Sequence, residues 1–245
     1  MKNLSNQFGN KKVSKSQKTK MVQDVFHKVS ENYDLMNDLM SLGAHRLWKK
    51  RLLDIINIRD NEIIIDVGAG TGDIGSGIIK NNTSCKVYLV DSNPSMIRKG
   101  KSKTLNLNSR AKWINASAEK LPFNKKFFDK YLISFCLRNV TNIEESLIES
   151  YRVLKDGGQF VCLEFSKPIT PMFNNIYNIY KNNIIPILGH YISNQKSSYQ
   201  YLAESIDNFP NQKYLTYKLK EVGYVNIKHY NLFNGIAAIH SGWKV

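Results

Sequence analysis

The sequence predicts an α/β fold: a doubly wound, seven-stranded, mostly parallel sheet with an antiparallel C-terminal hairpin strand. Three observations predict it. Short apolar runs alternate with helix-period stretches from Glu62 to Glu164. The first run, Ile63-Ile64-Ile65-Asp66-Val67, breaks into Gly68-Ala69-Gly70-Thr71-Gly72-Asp73, the kind of turn that carries a strand into a helix. The chain closes with two further strand-like stretches that turn near Asn234-Gly235.

Taken in order, residues 1–20 carry Lys2, Lys11, Lys12, Lys15, Lys18 and Lys20 with no acidic residue and few apolar ones. This basic arm is expected to be disordered alone. It lacks a signal-peptide apolar core and is Lys-rich where a transit peptide is Arg-rich, so it reads as native to a cytosolic chain. Val22, Val25, Phe26 and Val29, then Leu47-Trp48, recur at helical spacing and predict cap helices over about 21–55, ahead of one domain running to residue 245. The core reads strand from Glu62, helix Gly72 to Lys80, strand Lys86 to Val90, helix Pro94 to Lys103, strand Ala111 to Ala116, strand Phe128 to Ser134, helix Ile143 to Val153 and strand Gln159 to Glu164. Pro94 suits the first turn of a helix, where a missing N–H costs nothing. Asp156-Gly157-Gly158 reads as a turn before the fifth strand. Ser166 to Ser198, with Pro168, Pro171, Pro186 and several aromatics, breaks the alternation and is expected to form an inserted lid over the ligand crevice. Helices from Tyr199 and Gln212 precede strands Tyr224 to Asn231 and Ile236 to Lys244.

Composition sets the limits. A chain of 245 residues with 42% hydrophobic content suits one core, and no apolar stretch approaches the roughly 20 residues of a spanning helix. Cys85, Cys136 and Cys162 show no C-x-x-C spacing, which argues against a zinc site and a disulfide framework. A formal net charge of +15 points to an anionic partner, either nucleic acid or an acidic membrane surface.

The glycine spacing chooses among nucleoside ligands. It is G-x-G-x-G, not the G-x-G-x-x-G that holds a pyrophosphate at a helix N-terminus, and Asp73 would repel a phosphate. S-adenosylmethionine carries no phosphate, and carboxylates can bond its amino group. Asp91 ends the next strand about twenty residues on, where an acid can bind both hydroxyls of a ribose.

Beyond these local signals, Tyr33-Asp34-Leu35-Met36-Asn37-Asp38, Ala118-Glu119-Lys120-Leu121-Pro122-Phe123, Leu137-Arg138-Asn139-Val140-Thr141, Leu154-Lys155-Asp156-Gly157-Gly158, Tyr199-Gln200-Tyr201-Leu202 and Gly235 to Gly242 form an ordered set. It resembles the ubiquinone/menaquinone biosynthesis C-methyltransferase family from Val22 to Lys244. The resemblance implies a Rossmann-like class I methyltransferase fold, S-adenosyl-L-methionine as cofactor, and methylation of a ring carbon of a polyprenylated benzoquinol or naphthoquinol. Three departures stand out: Val67-Gly68-Ala69 where members often read Val-Ala-Gly, Cys136 where Gly is usual, and Ser117 where Asn is common.

By the same resemblance the cofactor positions are Thr71, Asp91, Ser117, Ala118 and Ser134, joined by Asp66, Gly68 and Gly70 of the glycine turn. Arg138 is the catalytic candidate, orienting a phenolate or a deprotonating water; a structural salt bridge is its alternative. His45 and His240 stand in reserve, and Tyr177, Tyr180, Tyr199 and Tyr201 suit a wall around the ring. No metal ligand set is visible. The expected partners are the quinol, an anionic membrane surface at the inner face of a bacterial cell membrane, a quinone-biosynthesis complex and a second copy of the chain. Nucleic acid is not among them, because Ser134-Phe135-Cys136-Leu137 stands where base amino methyltransferases carry Asn/Asp-Pro-Pro-aromatic. The alternatives are a nucleic-acid methyltransferase, which would account for the net charge of +15, and a noncatalytic cofactor-binding scaffold of a quinone-synthesis complex.

Overall fold

The structure is a computed structural model that describes residues 4–82, 84–104, 110–185, 187 and 196–245. Here the segment expected to be disordered is folded from Leu4. A 3-10 turn leads into a short hairpin, β1 (Gln7–Phe8) against β2 (Lys11–Lys12). Its own content would not hold it, but the surface beneath does. Phe8 stacks on Tyr201 with ring centroids 4.0 Å apart, Asn208 Nδ2 donates to Gly9 O at 2.8 Å, and the Asn10 N–H donates to Glu204 Oε2 at 2.9 Å. Composition counts apolar residues; it cannot see that Phe8 has a partner nearly two hundred positions away.

Helix α1 (Lys15–Val29) starts inside the same arm because Ser14 and Gln17 form a capping box. Lys18 is buried there, its Nζ donating to Leu4 O at 2.8 Å. Helices α2 (Tyr33–Ser41) and α3 (His45–Ile56) follow, burying Met36, Met40, Trp48, Leu52 and Ile56 against the sheet.

The sheet contains five parallel strands, β3 (Ile63–Val67), β4 (Lys86–Asp91), β5 (Ala111–Asn115), β6 (Phe128–Ser134) and β7 (Leu154–Phe165). Between them run α4 (Asp73–Asn81), α5 (Pro94–Lys103) and α6 (Ile143–Val153). Asn93 caps α5 by accepting from the Ser95 and Met96 N–H groups, which leaves Pro94 at the position where it does no harm. The expected turn at Asp156-Gly157-Gly158 lies within β7, which starts earlier than predicted. Gly157 takes φ 76°, its N–H donates to Lys244 O at 2.8 Å, and Lys244 N–H donates to Gly158 O at 2.9 Å. Pairing with the far end of the chain recruits the turn into the sheet.

After β7 come α7 (Pro171–Ile179), a π-helical turn over Tyr180–Ile184, α8 (Lys196–Asn208), α9 (Gln212–Val222), β8 (Val225–Leu232) and β9 (Ala237–Trp243). Strand order is β5-β4-β3-β6-β7-β9-β8, and β9 runs antiparallel to both β7 and β8. Alternate side chains feed two cores. Ile64, Leu132 and Leu163 face one layer with α3 and α4, while Ile65, Tyr131, Ile133 and Cys162 face the other with α6 and α9. Strand order reverses between β3 and β6, which opens a crevice at their carboxyl ends.

Candidate active site

At that crevice lies a cavity of about 320 Å3, the size range of a small-molecule site. Its floor is the turn after β3. The Gly68 and Ala69 N–H groups donate to Val90 O at 2.8 and 3.0 Å, tying the turn to β4. Gly70 N–H donates to Asp91 Oδ2 at 2.8 Å, and Asn93 N–H to Asp91 Oδ1 at 2.8 Å, so the carboxylate is fixed at the rim. Burial raises the Asp91 pKa above the ordinary carboxylate value, against the pull of these N–H donors.

Gly68, Gly70 and Gly72 hold φ of 68°, 58° and 81°, a region a side chain rarely adopts. A Cβ on Gly68 would come within 2.2 Å of Cys136 Sγ. This explains two departures from the resembled family together: where a small residue with a Cβ moves out of position 68, a larger side chain fits at 136. Phe135, between Ser134 and Cys136, has φ 52°. Such strain in a non-glycine residue at a strand end is kept where the surroundings over-determine it, as binding sites do.

Of the positions predicted from sequence, Gly68, Gly70, Asp91, Ser117 and Ala118 line this cavity. Asp66, Thr71 and Ser134 line a smaller adjoining cavity together with Lys49 and Asp73; Tyr33, Gly68 and Phe135 border both. Ser134 Oγ is buried there with no hydrogen-bond partner, a donor and acceptor waiting for a polar ligand. Asp66 accepts from the Gly75 N–H at 3.2 Å, and burial pushes its pKa up to about 7. Ser117 Oγ is held by the Glu119 carboxylate, which also accepts from the Thr141 N–H at 2.6 Å.

Arg138 is not in the cavity wall. Its Nη1 donates to Glu164 Oε1 at 2.7 Å and to Phe135 O at 2.7 Å, its Nε donates to Ser205 Oγ at 3.2 Å, and both ionic side chains are buried. The salt-bridge alternative therefore describes its position: the guanidinium is paired with a buried carboxylate and does not line the cavity. Its neighbour Asn139 reaches the cavity instead, accepting from Tyr201 OH at 3.1 Å.

His45 bonds Asp38 at 2.9 Å, and His240 bonds Gln212 O at 3.0 Å with burial lowering its pKa to about 4. Neither lines the cavity. Tyr177, Tyr180, Tyr199 and Tyr201 do not line it either. Of the insertion expected to be the lid, residues 186 and 188–195 lie outside the described residues; in its described part, Tyr180 OH donates to Leu39 O at 2.5 Å on α2. No described residue between Ser166 and Ile187 touches the cavity.

Among the described residues, α1 covers the cavity. Thr19, Val22, Gln23 and Phe26 form its roof. The roof is pinned by Thr19 Oγ1 to Thr141 Oγ1 at 2.7 Å, by Asn93 Nδ2 donating to Gln23 O at 3.0 Å, and by His27 Nδ1 to Ser95 Oγ at 2.8 Å. Val22 and Phe26, four apart, were visible in the sequence as one apolar stripe. What they cover was not. The rest of the wall mixes apolar residues with Ser92, Asn93, Ser117, Asn139 and Thr141, and it carries carboxylates at Asp91, Glu119 and Glu145 and no Lys or Arg among the described residues. That suits an adenosyl group and not a pyrophosphate.

This strand order, glycine turn and acidic strand end define a Rossmann-like class I S-adenosylmethionine-dependent methyltransferase. Solved structures share the fold. A methyltransferase from Thermotoga maritima superposes with TM-score 0.64 at 16% identity, covering 91% of this chain and 99% of that one. Geranyl diphosphate C-methyltransferase from Streptomyces coelicolor, solved with S-adenosyl-L-homocysteine, gives 0.62 at 13% identity over 82% of this chain and 79% of that one. Residues 11–244 match the ubiE/COQ5 methyltransferase family, and the chain belongs to it. The ubiquinone/menaquinone biosynthesis C-methyltransferase of Zymomonas mobilis is 43% identical over 97% of this chain and 98% of its own. The mitochondrial 2-methoxy-6-polyprenyl-1,4-benzoquinol methylase of Oryza sativa is 40% identical, over 97% and 88%.

Proposed function

We propose that this methyltransferase moves a methyl group to a ring carbon of a polyprenylated benzoquinol or naphthoquinol in ubiquinone or menaquinone biosynthesis. One observation carries the reading: a roofed cavity at the switch point whose carboxylate, Asp91, is fixed by the glycine turn itself. Bound there, S-adenosylmethionine supplies a methyl group on a positively charged sulfur. Asp91 receives the ribose hydroxyls, Ala118 and Ser117 border the adenine, and Gly68 and Gly70 let the ligand lie against the backbone. Asp66, Thr71 and Ser134 would hold its amino-acid end in the smaller cavity, where the Ser134 hydroxyl is without a partner.

A ring carbon becomes a good nucleophile once a neighbouring hydroxyl loses its proton. With a phenol pKa of about 10, that costs roughly 4 kcal/mol at neutral pH. Orientation can contribute about 7 to 11 kcal/mol. A rigid, water-excluding pocket thus outweighs a dedicated base, in keeping with a wall where Arg138 does not appear. The α1 roof and Phe135 exclude water, and Asn139 offers the ring a polar contact from the wall.

No helix among the described residues is long and apolar enough to cross a membrane. A polyprenyl acceptor resides in one, so the basic chain works at the inner face of the cell membrane as a peripheral protein. Mass spectrometry of the quinone pool checks the reaction. Without the gene product, a precursor one methyl lighter accumulates, and the Asp91→Ala protein fails to clear it. An unchanged pool, with label from the cofactor entering RNA, would refute the proposal.

A further inference from the structure

We infer that an exposed apolar face formed by the α2–α3 turn, the start of α7 and the β8–β9 turn docks on an anionic lipid bilayer. This rests on the function proposed above and names the surface through which the acceptor's chain arrives.

Leu42 is 74% exposed, Leu47 64%, Ile169 60%, Met172 66% and Phe233 57%. They come from three distant segments, and contacts join those segments. Phe233 packs edge-on against Trp48 at 5.8 Å, Ile169 N–H donates to Asn234 O at 2.8 Å, and Asn234 Nδ2 donates to Thr170 Oγ1 at 2.6 Å. Single exposed apolar residues are ordinary; five large ones gathered on one face mark a contact surface.

Charge selects the occupant. The sequence holds no Asp or Glu between Asp38 and Asp54, between Glu164 and Glu204, or after Glu221. The segments that build the face are therefore free of carboxylates, while Lys50 lies exposed on α3 beside it, next to Arg46 and Arg51, which pair with Asp38 and Asp54 at the edge. An apolar centre with a basic rim matches anionic headgroups over acyl chains. A second copy would bring the same basic rim against itself, in a chain of net charge +15.

The face also connects inward. Phe135 lines the cavity, and its ring lies 5.0 Å from Phe165 and 6.2 Å from Trp48. Trp48 in turn meets Phe165 at 6.0 Å and the exposed Phe233 at 5.8 Å. Aromatic packing thus runs unbroken from the cavity wall to the docking face, which ties the position of the face to that of the site.

Vesicle flotation tests this with phosphatidylglycerol/phosphatidylcholine vesicles against phosphatidylcholine alone. The full-length protein should float with the anionic vesicles, and less so in high salt. Combining Leu42→Glu, Leu47→Glu and Met172→Glu should cut that binding about tenfold or more. Ile148→Glu, at a lone exposed position on α6, should leave it unchanged. Melting temperature and S-adenosylhomocysteine binding confirm that the triple variant is folded; if it is not, Leu42→Glu alone reads the same loss. Methylation of a long-chain quinol embedded in vesicles should fall with vesicle binding. Undiminished flotation of the variant would overturn the inference. So would a wild-type protein that ignores vesicles and is a dimer which the same substitutions split, since the face would then be a self-interface. Failure of the functional reading shows separately, as wild-type protein that methylates no short-chain, water-soluble quinol at all.

Discussion

On the cavity floor, Gly68, Gly70 and Asp91 are held by backbone contacts within two adjacent strand ends, whereas the roof over them is a helix kept in place by side chains from far along the chain. The floor's geometry is set by φ values that only certain residues tolerate. The roof's is set by whether α1 and the hairpin ahead of it find partners on α5 and α8. One should fail abruptly when a single atom is added. The other should loosen by degrees.

The sharpest break on the floor is Gly68→Ala. The new methyl would sit 2.2 Å from Cys136 Sγ in a backbone conformation that disfavours it. Overpacking and φ strain together predict a loss of about 2 to 4 kcal/mol in stability, and weakened S-adenosylhomocysteine binding by calorimetry. Adding Cys136→Gly removes the clash and leaves the φ strain, so the double variant should recover the overpacking part of both losses. If the two losses simply add, the compensation between positions 68 and 136 does not exist.

This contrast also explains what the sequence disclosed. The β3 turn and Asp91 were legible because glycine spacing and an acid at a strand end are local signals, readable within some thirty residues. Arg138 was ambiguous because its partner Glu164 lies on the next strand end, and no spacing rule connects them. The insertion after β7 suits a lid by its position and aromatics, yet among the described residues Tyr180 bonds α2 and the cover over the cavity is α1. Both choices put an apolar element at the crevice, and periodicity does not say which one arrives. The folded arm escapes composition for the same reason: Phe8 and Lys18 are stabilised by Tyr201 and Leu4 O, contacts that composition does not contain.

A second test of the floor uses pH. Burial raises the Asp66 pKa from 3.8 to about 7, so folding favours its protonated form. The stability contributed by that form is fully present below about pH 4 and is lost as pH rises through 7. Asp66→Asn mimics the neutral acid and keeps an acceptor for the Gly75 N–H. Its melting temperature should match wild type near pH 4, gain on it as pH rises to about 7, and stay level above, with a final difference on the order of 4 kcal/mol. A difference independent of pH would mean Asp66 is ionised throughout.

The roof should yield a smaller, graded effect. Phe8 stacks on Tyr201 but is only half-buried, so Phe8→Ala should cost about 1 to 2 kcal/mol, below the range for a fully buried phenylalanine. The loss should appear first as faster amide exchange in residues 7–20, because the hairpin is an outer unit that can open while the sheet stays closed. S-adenosylhomocysteine should dissociate faster in proportion, since opening of α1 uncovers the cavity, while the floor contacts that set its binding remain. Equal acceleration of exchange in β3 and β4 would show instead that roof and floor open as one unit, and the distinction between them would fall.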